Sequence, residues 1–208
     1  MKLPYLFDLI AVGVFAVSGC LAAGRKALDL VGVFVVAVVT AVGGGTLRDL
    51  LLDRHPIFWI IDGNFFYVIG GAVVITLLYV RFRGPPNQVL RAADAIGLAV
   101  YAIVGAQLTE ARGHPAVVAV ALGTLTATAG GVLRDLLCND IPILFREGYL
   151  YATAAAAGAT CYVLTEEPLG RDAAAYLGMV VVVVLRFGSI VWKWNLPRFE
   201  LRDVPQGG

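Results

Sequence analysis

Long apolar runs separated by short polar breaks dominate the chain. A transmembrane helix needs roughly 17–25 mainly apolar residues, and stretches near 6–24, 30–50, 60–80, 94–111, 116–137, 149–165 and 173–192 meet that length. The pattern predicts an all-α integral membrane protein with seven transmembrane helices. Gly24, Gly84-Pro85-Pro86, Gly113-His114-Pro115 and Pro168-Leu169-Gly170 fall in the breaks, where helices stop and turn. Trp59, Tyr79, Tyr149, Tyr151, Tyr176, Trp192 and Trp194 lie near predicted span ends, the place of an interfacial aromatic belt.

The first six spans are two copies of one unit. A shift of 86 residues lays Asp8 on Asp94, Ile10 on Ile96, Ala16 on Ala102 and Gly19 on Gly105. It also lays Gly44-Gly45-Thr46-Leu47-Arg48-Asp49-Leu50-Leu51 on Gly130-Gly131-Val132-Leu133-Arg134-Asp135-Leu136-Leu137. Chance likeness between apolar segments does not reproduce an arginine, an aspartate and two glycines in register. Three spans per unit is an odd number, so the second copy is expected to enter the membrane from the opposite side, as an inverted repeat. The expected organisation is a first repeat over 1–86, a second over 87–170, a seventh helix over 171–195 and a cytoplasmic tail over 196–208. The seventh helix lies outside the symmetry, and packing against lipid or subunits is its expected duty.

Composition agrees with burial in lipid: 59% of the 208 residues are hydrophobic and 15% charged, with mean hydropathy +0.82, against about 25% charged in a soluble domain. The net charge of +1 and the lack of a basic stripe argue against nucleic acid as a partner. Lys2, an apolar run and Val17-Ser18-Gly19-Cys20 mimic a lipoprotein signal, but Asp8 interrupts the run and the segment has a mid-chain counterpart, so a retained span is expected. Cys20, Cys138 and Cys161 sit in apolar runs and read as packing residues. Outside the spans, Lys2, Arg54, Arg112 and Arg171 fall on the N-terminal side. Arg25, Lys26, Arg81, Arg83, Arg91, Arg146, Lys193, Arg198 and Arg202 fall on the other; Arg48, Arg134 and Arg186, within spans, are not counted. This bias predicts an N-terminus outside and a cytoplasmic C-terminus.

The chemistry within the spans is concentrated in the duplicated motif. Gly43, Gly44 and Gly45, with Gly130 and Gly131, weaken their helices by about 1 kcal/mol per residue relative to alanine. Close helix packing is one use for them; a break near the midplane that opens a polar pathway is the sharper expectation. Arg48, Asp49, Arg134 and Asp135 follow by one turn. An ionised side chain at the centre of a membrane helix costs roughly 2.5–3.5 kcal/mol on insertion scales, so these residues need partners. Neighbours on a helix project about 100° apart, which argues against Arg48 pairing with Asp49. The depth of the spans points to Arg48 with Asp8, and the repeat to Arg134 with Asp94. Hydroxyls of Thr40, Thr46, Thr124, Thr128 and Ser18 are expected to bond back to their own helices, and Thr124, Thr128 and Gly131 share a face suited to a pore wall. His55 and His114 sit in loops with no acidic residue spaced for a metal helix, and no nucleophile and base come together, so neither an enzyme nor a cofactor is expected.

Two three-span repeats, each with Gly-Gly-x-Leu-Arg-Asp late in its second helix, and a seventh span resemble the prokaryotic branch of the trimeric intracellular cation channels, also labelled glycine-transporter-like. The likeness covers residues 1 to about 195. It implies a homotrimer in which each subunit carries an hourglass pore for potassium and other monovalent cations, lined by kinked second and fifth helices. Gly43, Gly44, Gly45, Arg48, Asp49, Gly130, Gly131, Arg134 and Asp135 match its motif, whereas Ala129 stands opposite Gly43 where a third glycine would be. The residues themselves do not fix the ion, because arginines suit anions and carboxylates suit cations. Inverted repeats with broken helices also suit a secondary transporter for glycine or another small zwitterion.

Overall fold

The computed structural model describes residues 3–83, 87–145, 150–192 and 194. Among the described residues eight α-helices form: α1 (Leu3–Arg25), α2 (Leu30–Leu51), α3 (Phe58–Ile61), α4 (Asn64–Arg83), α5 (Asn87–Glu110), α6 (Ala116–Leu137), α7 (Ala152–Leu169) and α8 (Arg171–Trp192). A single 3-10 turn, Ile143–Phe145, follows α6. Lys2, Gly84-Pro85-Pro86, Arg146, Tyr149, Lys193, Arg198, Arg202 and the expected tail at 196–208 lie outside the described residues.

Seven of these helices are long, and six (α1, α2, α4, α5, α6 and α8) have the length and apolarity to cross a membrane. The protein is an all-helical membrane protein. Helix α7 falls short because its last turns carry Thr165, Glu166 and Glu167. It is held by packing instead, against α5, α6 and α8, through Ala154, Ala155, Gly158 and Ala159. The expected break at Pro168-Leu169-Gly170 is where α7 ends, at Leu169, and Gly170, at φ 79°, makes the turn into α8. Helix α5 begins seven residues ahead of its predicted span, in a polar stretch that apolarity does not mark.

The core is built where α1, α2, α5 and α6 meet, and small residues set its geometry. A methyl group at Gly44 would collide with the carbonyl oxygen of Thr126, and one at Gly130 with that of Thr40. These two collisions are one contact written twice, with 86 added to or taken from each number. The same arithmetic relates Gly19 against Ala37 and Thr40 to Gly105 against Gly123 and Thr126. Backbones cross this closely only where no Cβ intervenes.

That crossing corrects the expectation of broken helices. Helix α2 passes through Gly43, Gly44 and Gly45, and α6 through Gly130 and Gly131, as uninterrupted α-helix. Burial of Gly44 and Gly130 against the opposing backbone, and of Gly43, Gly45 and Gly131 against the side chains of Leu133, Phe58 and Tyr151, compensates their weak propensity. At Gly43 an added methyl would meet only the end of a flexible aliphatic side chain, Leu133 Cδ1 at 2.6 Å. This explains why Ala129 suffices at the matching place in α6.

Loops tie the bundle at its ends. The Tyr5 hydroxyl donates to Asp62, holding that exposed carboxyl below the usual range, and Asn64 Nδ2 donates to the Tyr5 oxygen at 3.1 Å. Lys26 reaches Asp140 at 2.8 Å, and Arg112 donates to the Leu52 carbonyl, next to the end of α2, at 2.9 Å. Tyr151, expected in an aromatic belt, is buried in the core, whereas Tyr79, Tyr176, Trp192 and Trp194 are exposed.

Candidate functional site: two buried charge clusters

Each motif helix carries its arginine to a carboxylate on the first helix of its own repeat. In the first copy, Arg48 of α2 lies 3.9 Å from Asp8 of α1. In the second, Arg134 of α6 lies 2.6 Å from Asp94 of α5. Arg48, Asp49, Arg134 and Asp94 are 0% exposed, Asp135 is 6% exposed, and Asp8 is half-buried.

The expectation that Arg48 does not pair with Asp49 is wrong. Arg48 Nε donates to Asp49 Oδ1 at 2.9 Å, and Nη2 sits 2.8 Å from the same oxygen. Arg134 makes the same contacts with Asp135, at 2.8 and 2.8 Å. The 100° between neighbouring Cβ atoms does not constrain a stem as long and flexible as that of arginine. The far oxygens of these aspartates do a separate job. Asp49 Oδ2 accepts from the Phe58 backbone N–H at 3.0 Å and Asp135 Oδ2 from that of Ile143 at 2.8 Å. Each motif aspartate thus pins the start of the short turn that follows its helix.

Beyond this shared plan the two clusters differ. Arg54, partly exposed, adds a third contact to Asp49 at 3.4 Å, and the Arg48 guanidinium lies over the Phe58 ring, 5.4 Å from its centre. Asp8 Oδ1, Arg48 Nη1 and Arg48 Nη2 have no hydrogen-bond partner. In the second cluster, Arg134 Nη1 also donates to Ser18 Oγ at 2.5 Å, and Tyr151 donates to Asp94 Oδ1 at 3.2 Å. Arg186 of α8 approaches the other oxygen, Asp94 Oδ2, at 3.7 Å and stacks on the Tyr151 ring at 4.8 Å. Around the first cluster, Val104 of α5 stands where Ser18 would be matched and Phe65 of α4 where Tyr151 would be.

Sequence reasoning missed three of these groups. Ser18 was expected to bond to its own helix but serves Arg134. Tyr151 sat in the expected belt, and Arg186 was set aside with the seventh span, although an arginine within an apolar run is itself the signal for a functional position. The threonines behave as expected: Thr40, Thr46, Thr124 and Thr128 donate to the carbonyls of Val36, Val42, Val120 and Thr124. Thr46 Oγ1 additionally accepts from Trp59 Nε1 at 2.9 Å, fastening α3 to α2. Thr128, on the expected pore face, is 5% exposed, and Gly131 leaves no room for a methyl beside the Tyr151 hydroxyl.

Comparison with known proteins reproduces the duplication. The family described as Glycine transporter matches the chain twice, over residues 5–81 and 91–167. The chain is 39% identical over 206 residues to the inner membrane protein YadS of Escherichia coli (strain K12), covering 97% of this chain and 98% of that protein. It is 33% identical over 198 residues to the membrane protein YvgT of Bacillus subtilis (strain 168), covering 95% and 96%. Among solved structures, it is similar to the TRIC trimeric intracellular cation channel orthologue from Rhodobacter sphaeroides, at 34% identity and TM-score 0.88, covering 93% of this chain and 100% of that one. A chain solved for the structural basis for conductance through TRIC cation channels matches at 31% identity and TM-score 0.86, covering 98% and 100%. With the family matched over both repeats and the fold shared along nearly the whole length, this chain is a member of the glycine transporter family of membrane proteins, the family of the TRIC channels.

Proposed function

We propose that the protein is a cation channel, assembled as a homotrimer, that passes potassium and other monovalent cations along a path within each subunit. The observation that carries this reading is the pair of buried arginine–carboxylate clusters, one in each repeat, on the four helices that form the core. Charges at this depth are costly unless they serve a polar path or one another, and here several of their atoms remain unpartnered. The likeness to solved TRIC cation channels supports cations over anions. On this reading Asp8, Arg48, Asp49, Asp94, Arg134 and Asp135 set the charge along the path. Gly43, Gly44, Gly45, Gly130 and Gly131 bring its walls together, and Thr46, Thr124 and Thr128 line it.

In the membrane, all seven long helices cross, α7 shielded by its neighbours. The repeats over 1–86 and 87–170 then enter from opposite sides, with α8 and the tail at 196–208 added to them. The excess of arginine and lysine on one side supports an N-terminus outside and a cytoplasmic C-terminus, which places the Asp8 cluster in the outer half and the Asp94 cluster in the inner half. The test is potassium efflux from liposomes holding the purified protein: efflux that sodium or rubidium can replace supports the channel. A second reading, a carrier for glycine or a similar zwitterion, draws on the description of the matched family; it predicts saturable uptake of labelled glycine and no free cation leak.

A further inference from the structure

The two first-helix carboxylates occupy matching places in the repeat, yet only one of them faces a second arginine. Asp8 has Arg48 at 3.9 Å as its ion-pair partner, and one of its oxygens is buried without a hydrogen bond. In the first cluster Arg48 and, from the loop, the partly exposed Arg54 balance Asp8 and Asp49. Asp94 and Asp135 face Arg134 and, in addition, Arg186, so the second cluster is neutral. The extra positive charge comes from α8, the helix that has no counterpart in the repeat.

Arg186 is an unusual neutraliser. It is 1% exposed, yet Nε and Nη1 have no hydrogen-bond partner, and its nearest approach to a carboxylate is 3.7 Å, beyond hydrogen-bonding distance. Asp94 Oδ2, facing it, also lacks a hydrogen bond. A buried guanidinium normally gains its stability from close, charge-assisted pairing, as Arg134 does with Asp94 at 2.6 Å and Asp135 at 2.8 Å. Arg186 instead rests on the Tyr151 ring. One residue further along α8, between the start of α5 and the end of α8, is a cavity of ≈ 570 Å³ bordered by Arg91, Ala92 and Phe187.

We infer that Asp94 Oδ2 is a binding site for a monovalent cation on the permeation path, and that the Arg186 guanidinium occupies this site as a tethered competitor. The loose contact is what such a competitor needs: close enough to exclude a free cation electrostatically, too poorly bonded to be locked. Moving Arg186 toward the neighbouring cavity would empty the site and leave the second cluster one negative charge in excess. This inference rests on the channel reading, which it deepens by giving α8 a part in conduction.

The test uses the full-length protein, Arg186→Gln, and Arg186→Gln combined with Asp94→Asn. Two signals are read: potassium current in planar bilayers, and thermal unfolding in potassium chloride against choline chloride at equal ionic strength. Removing a fixed positive charge this close to a carboxylate in a region of low effective dielectric is expected to raise the potassium current by about tenfold. It is also expected to give Arg186→Gln a potassium-specific thermal stabilisation absent from the wild type, and the added Asp94→Asn is expected to abolish both gains. Should Arg186→Gln not elute with the wild-type oligomer, Arg186→Lys decides, because the ammonium has a shorter reach than the guanidinium and retreats from Asp94 while keeping the charge; about a threefold rise in current is then expected on the same electrostatic ground. Current and potassium stabilisation both equal to wild type overturn the proposal. A wild-type protein that carries no cation at all contradicts the channel reading instead, while the stabilisation of Arg186→Gln by potassium still reports on the site.

Discussion

The Asp8 and Asp94 clusters descend from one pattern and have been finished differently. Both keep an arginine, its helical neighbour aspartate and a first-helix carboxylate, and both use the neighbour to pin the turn that follows. The second cluster adds a serine from α1, a tyrosine and an arginine from α8; the first adds only Arg54 from a loop and leaves Asp8 half-buried. Duplication thus supplies the charges, while the single substitutions around them decide which half is tightly bonded and which stays partly exposed.

The comparison breaks most severely at the crossing on which both clusters depend. Gly130→Ala drives a methyl group into the Thr40 carbonyl, and overpacking against rigid backbone is expected to cost about 3 kcal/mol. Gly71→Ala, where an added methyl meets nothing within 4 Å, is the control expected to unfold like wild type in detergent melts. Next in size is Arg134→Met. Stranding Asp94 and Asp135 is expected to destabilise by about 3 kcal/mol or more, whereas Arg48→Met costs less, because Asp8 reaches water and Asp49 keeps Arg54. Equal losses in denaturant titrations of the two variants would erase the distinction between the clusters.

Tyr151→Phe copies the first cluster's Phe65 into the second and removes one hydrogen bond to Asp94, an expected loss of about 1 kcal/mol. Asp8→Asn is expected to leave the melting curve nearly unchanged and to reduce cation flux. Wild-type flux together with wild-type folding would remove Asp8 from the path.

Much of this was legible in the sequence because lipid imposes simple rules. Span length, the turn glycines and the 86-residue register between Asp8-Arg48 and Asp94-Arg134 follow from hydropathy and identity alone. The role of the motif glycines was misread because propensity describes a helix in isolation, while Gly44 and Gly130 are explained by the opposing backbone. The Arg48–Asp49 contact was missed because a Cβ projection ignores the reach of the side chain. Arg186 escaped because it has no mate in the repeat, and Ser18 because α1 of one repeat serves α6 of the other, a contact that no spacing within a repeat reveals.

The central claim is tested most directly by single-channel recording of the purified protein in a planar bilayer under a potassium chloride gradient. Discrete current steps that reverse near the potassium equilibrium potential are the predicted result. A silent bilayer, together with liposomes that accumulate labelled glycine, would contradict it and turn the same arginines and carboxylates into a substrate site.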